Sequence, residues 1–88
     1  MKLEEIRSEI DNIDHELVAL FKMRMNLVGE VANYKLANSL PIFNPEREME
    51  ILAKLTPEGE LGPFTNDFLT ALFEISKSYQ RLIIAQGE

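Results

Sequence analysis

LEEIRSEIDNIDHELVALFKMRMNLVGEVANYKLAN, residues 3–38, contains no proline and carries apolar side chains at Ile6, Ile10, Ile13, Leu17, Leu20, Leu27, Val31 and Tyr34. Steps of three and four residues trace one face of a single helix. The slot where the stripe should continue between Leu20 and Leu27 holds a cation, Arg24. A helix of this length spans about 54 Å at 1.5 Å per residue, whereas a compact domain of this size is about 30 Å across. One chain cannot cover it. The helix either lies bare or is buried against a second chain, and the regularity of the stripe favours the second chain.

Outward from that helix, the composition sets bounds. The chain has 88 residues, enough for one domain, and at this size a solitary core is marginal. Hydrophobic residues at 45% and charged residues at 27% place it among folded globular proteins rather than disordered ones. A formal charge of -6 and the lack of any run of Lys and Arg argue against nucleic acid as a partner. No apolar run approaches the roughly 20 residues of a membrane span, and Met1 to Ile10 is too charged for a secretory signal. The expectation is a cytoplasmic protein. Zero cysteines exclude disulfides, thiol nucleophiles and thiolate metal sites.

Punctuation predicts two further helices. After a loop containing Pro41, Asn44-Pro45 reads as an N-cap followed by proline at the first helical position. The second helix runs to about Leu55 and sets Glu48, Ile51, Leu52 and Leu55 on one side. Thr56 to Pro63 breaks it. A third helix is expected from about Thr65 or Asn66, with Phe68, Leu69, Leu72, Phe73, Ser76, Tyr79, Gln80 and Ile83 facing inward and Gly87 near its stop. No strand pattern or internal repeat competes. The fold class is all-α, three helices in one domain over residues 1–88.

Function should sit where polar residues occupy interior positions, because a buried polar group is costly without a partner. Arg24, Glu48, Ser76 and Gln80 meet that condition and could line one polar pocket. Lys35 lies eleven residues beyond Arg24, close to three turns, so both cations project to nearly the same side and could share a ligand. Arg7 sits beside the stripe but about 25 Å from Arg24 along the axis, out of reach of one small molecule within one chain. An antiparallel partner closes that gap. Simpler readings stand beside these. Arg7 can pair with Glu4 and Asp11, and Lys35 can answer the negative end of the first helix. Arg24 can form a buried bridge with Glu48, Ser76 can be a small residue at a helix contact, Gln80 can reach solvent, and Asn44 can be only a cap. His15 points away from the apolar face and belongs to the surface.

Taken in order, Ile6-Arg7, Ile10-Asp11, Ile13-Asp14, Leu20 to Arg24, Lys35, Pro41, the string Asn44-Pro45-Glu46-Arg47-Glu48, and Ser76 to Gln80 resemble the all-helical chorismate mutases, the AroQ class. The resemblance implies an intertwined homodimer of three-helix chains with two equivalent sites. It implies a dicarboxylate substrate, chorismate, rearranged to prephenate in the biosynthesis of phenylalanine and tyrosine. By the same resemblance Arg24 binds one carboxylate with help from Ser76, and Arg7 enters from the other chain to hold the second. Lys35 and Gln80 hydrogen-bond the ether oxygen whose bond breaks, and Glu48 accepts from the ring hydroxyl. Asn44 stands where many members carry aspartate, and an amide oxygen still accepts a hydrogen bond. Arg47 supports the second helix or orients Glu48. A unimolecular pericyclic rearrangement needs no nucleophile, proton shuttle, metal or cofactor; it needs the reactive conformer held and negative charge on the ether oxygen stabilised. Two alternatives remain: an isochorismate-pyruvate lyase of the same fold, and a noncatalytic dimerisation or regulatory module.

Overall fold

The computed structural model describes residues 1–88 as three helices, α1 (Leu3–Ala37), α2 (Pro45–Leu55) and α3 (Gly62–Gly87). α1 and α2 follow the sequence expectation. The Asn44 side chain accepts from the Arg47 backbone N–H at 3.1 Å, capping α2, with Pro45 where its missing N–H costs nothing. α3 begins earlier than Thr65. Pro63 falls inside its first turn, which tolerates proline, and the Thr65 hydroxyl bonds back to the Leu61 carbonyl at 2.8 Å. Gly62 is buried against the Pro57 carbonyl, which a Cβ would approach to 2.7 Å, so this tight entry requires glycine.

α3 packs on the second half of α1 and also receives α2. Arg24 meets Ser76, and Lys35 meets Gln80, so α1 and α3 run in the same direction. The contact face of α1 is built from small residues. Ala32 is wholly buried, and a Cβ on Gly29 would come within 3.2 Å of Ile83 Cδ1. Small residues on α1 make room for the bulky Tyr79 and Ile83 side chains of α3.

The protomer is a plate of 53 × 27 × 14 Å with a radius of gyration of 16.3 Å. A compact chain of this length would have a radius near 12 Å. Its long axis of 53 Å matches the length of α1 alone. Every member of the stripe from Ile6 to Tyr34 is exposed in the single chain, and only Ala32, Leu69 and Phe73 form its buried apolar core. Two expected inward positions differ. Leu55 and Phe68 are exposed in the single chain, 59% and 58%. No helix is long and apolar enough to cross a membrane.

Candidate active site

A cavity of about 430 Å³ opens where the three helices meet. α1 contributes Arg24 and Lys35 to its wall, α2 contributes Asn44, Arg47 and Glu48 at its N-terminal end, and α3 contributes Ser76, Lys77 and Gln80. Leu27, Val28, Val31, Ile51 and Phe73 supply an apolar lining. Six of the seven residues singled out in the sequence therefore surround one space. A second depression, about 370 Å³, is lined by Leu17, Val18, Phe21, Phe68 and other apolar groups, with Arg24 alone contributing charge. It has the character of a contact face rather than a reaction site.

Hydrogen bonds orient the polar groups. Arg24 Nη1 donates to Ser76 Oγ, and Ser76 in turn donates to the Leu72 carbonyl at 2.8 Å. The serine thus holds one arm of the guanidinium and leaves the rest of the fork free. Lys35 Nζ donates to Gln80 Oε1 at 2.9 Å and to the Ile42 carbonyl at 2.7 Å. An ammonium has three donors and no acceptor, so one N–H remains for a ligand. The same constraint sets the glutamine: its oxygen faces Lys35, and its NH₂ is left as a donor.

Burial, followed by the positive charge of Arg47, lowers the Arg24 pKa from its ordinary value, and burial lowers that of Lys35. Both cations are held where water serves them poorly, and neither has an anionic partner in the chain. An anionic ligand would relieve that cost. The structure does not form the Arg24–Glu48 bridge that offered a simpler reading. Glu48 Oε2 instead pairs with Lys77 Nζ at 3.0 Å. Arg47 pairs with Glu50 at 3.2 Å, so it neither bonds nor orients Glu48. Asn44 borders the cavity, but its side-chain oxygen is engaged in the cap.

Arg7 lies apart. It is exposed on the uncovered first half of α1, and it forms no ion pair with Glu4 or Asp11. His15 is exposed as expected. Lys77 is the site residue that sequence reading missed. Its Cα is one position off the Ser76 and Gln80 face, and its flexible stem carries the ammonium round to α2. Its position between those two residues was the available signal.

The family model for chorismate mutase type II matches residues 6–81. The chain belongs to that family. The T-protein of Haemophilus influenzae is 40% identical over 67 residues, covering 76% of this chain and 18% of its own length. A chorismate mutase of Methanocaldococcus jannaschii is 41% identical over 54 residues, 61% of this chain and 54% of that protein. The crystal structure of chorismate mutase from Helicobacter pylori in complex with prephenate superposes with a TM-score of 0.85 at 34% identity, covering 94% of this chain and 93% of that one. The chain spans under a fifth of the length of the T-protein it matches. At the family level, the three-helix architecture expected from the sequence and the architecture of the solved relative agree.

Proposed function

We propose that residues 1–88 form one catalytic domain that rearranges chorismate to prephenate, for phenylalanine and tyrosine biosynthesis, at two equivalent cavities of a cytoplasmic homodimer. The observation that carries the reading is the pair of cations, Arg24 and Lys35, facing one cavity with no carboxylate to neutralise either. Family membership and the prephenate complex of the Helicobacter pylori relative supply the substrate. The plate-like protomer and its bare stripe support the dimer.

In this mechanism Arg24, held by Ser76, takes one substrate carboxylate with its planar fork. Arg7 of a second copy, lying antiparallel, takes the other. The flexible dianion is thereby folded into the conformer in which the new carbon–carbon bond can form. The third N–H of Lys35 and the NH₂ of Gln80 converge on the ether oxygen, where negative charge grows as its bond to the ring breaks. Donors fixed before the reaction are each worth about 10²–10³ in rate. Glu48 Oε1, the oxygen that Lys77 leaves free, accepts from the ring hydroxyl, with Asn44 beside it. No proton moves, so the groups act through charge and geometry alone.

The test is a direct assay of the purified chain with chorismate and, separately, isochorismate, identifying products. Prephenate from chorismate is the expected result. Release of pyruvate from isochorismate without prephenate formation would assign the lyase instead, and no turnover of either would leave a noncatalytic module. The lyase is weighed because it shares the fold and the same type of cationic pocket. The regulatory module is disfavoured by the absence of a closed network: a purely structural Arg24 would be expected to face a carboxylate, not a neutral hydroxyl.

A further inference from the structure

Lys77 has no assigned part in the mechanism above, yet it is the most heavily engaged cation of the molecule. Its ammonium contacts Glu48 Oε2 at 3.0 Å and Glu74 Oε1 at 2.8 Å, and sits 4.6 Å from the centre of the Phe43 ring. Its side chain is 13% exposed. The other ion pairs of the chain each lie within one helix, whereas Lys77–Glu48 joins α3 to α2. Two carboxylates and one aromatic face surround the ammonium. Lys77 thus differs from Arg24 and Lys35, neither of which has an anionic partner in the chain.

We propose that Lys77 is the positioning residue for Glu48, fixing one carboxylate oxygen so that the other points at the substrate hydroxyl, and neutralising a negative charge that would otherwise repel a dianionic substrate. The proposal rests on the chorismate mutase reading. Two observations carry it. Glu48 has no other partner in the chain, so without Lys77 its carboxylate is free to rotate into the cavity. Phe43, in the loop before α2, caps the ammonium face and ties the cavity rim to the same point. Hydrogen bonds to Glu74 and then Glu48 raise the Lys77 pKa, so the clamp stays charged through neutral pH.

The experiment compares kcat and KM for chorismate in the wild type, Lys77→Met, Lys77→Arg, Glu48→Gln and the Lys77→Met/Glu48→Gln double variant, with thermal melts alongside. Lys77→Met should lower kcat/KM about tenfold with KM clearly raised, and Lys77→Arg should stay within about threefold of wild type. In the Glu48→Gln background the same Lys77→Met change should cost less than about twofold, because its target is gone. An equal loss in both backgrounds, or no loss in either, overturns the proposal. Should Lys77→Met not fold, Glu74→Gln decides: freeing Lys77 for Glu48 alone should leave kcat/KM within about twofold or raise it, and a tenfold loss overturns the positioning role. Wild type inactive on chorismate overturns both this role and the functional reading, whereas active wild type with an indifferent Lys77 overturns this role alone.

Discussion

The two halves of α1 solve different problems. From Leu3 to about Leu20 the helix carries large apolar residues that stay exposed in the single chain. From about Arg24 to Leu36 it carries Gly29 and Ala32 against α3, with Arg24 and Lys35 on the cavity side. Bulk on a bare face asks for another molecule; small residues on a covered face allow two helices of one chain to touch. The covered half builds the cavity, whereas Arg7 lies on the half that reaches outward, where the proposed dimer would place it at a second copy's cavity.

Variants separate the halves, beginning with the largest effect. Leu17→Glu places a charge in the bare stripe and should abolish both self-association and activity, read by sedimentation and by turnover; a fully active monomer would break the comparison at its first term. In the covered half, Gly29→Leu should leave association chemistry alone but overpack the α1–α3 contact, because even a Cβ would lie 3.2 Å from Ile83 Cδ1. A loss of about 1–3 kcal/mol in denaturant midpoint analysis is expected. The equivalent enlargement Ala19→Leu, in the exposed half, should change stability far less.

A smaller effect concerns pH. Burial lowers the Lys35 pKa, so the folded chain releases that proton before an ordinary lysine would. Between the folded and unfolded values the unfolded chain binds more protons, so the contribution of Lys35 to stability rises with pH in that window. Catalysis moves the opposite way, since the neutral amine no longer offsets charge on the ether oxygen. The alkaline fall in kcat/KM should therefore begin below the usual lysine range, and Lys35→Arg should move it upward whatever its cost in rate. A profile unchanged by Lys35→Arg would remove Lys35 from the charge-stabilising role.

The same comparison shows why some features were legible in the sequence. Bulky residues at helical spacing are a strong signal, so the long helix, its length and its uncovered face could all be read from Ile6 to Tyr34. The Asn44-Pro45 start of α2 could be read because cap chemistry is local. Gly29 and Ala32 were silent, since a gap that receives bulky side chains from α3 carries no apolar pattern of its own. The α3 start was placed late because Gly62 and Pro63 look like loop, although a first turn accepts both. Leu55 and Phe68 were placed inward because periodicity reports which side is apolar and not whether the same chain covers it. Arg24, Lys35, Glu48, Ser76 and Gln80 stood out as polar residues at interior positions, whereas Lys77 did not, because a long side chain can act a turn away from where its Cα points.

Subunit mixing tests the shared site most directly. Arg7→Ala and Arg24→Ala should each lose about 10³ in kcat/KM as homodimers, the scale of removing one transition-state contact to a charged group. Refolded together in equal amounts, half the dimers should be mixed, each with one intact site, and activity should return to about a quarter of wild type. Mixed dimers that form yet stay as inactive as their parents would contradict a cavity completed by Arg7 of a second copy.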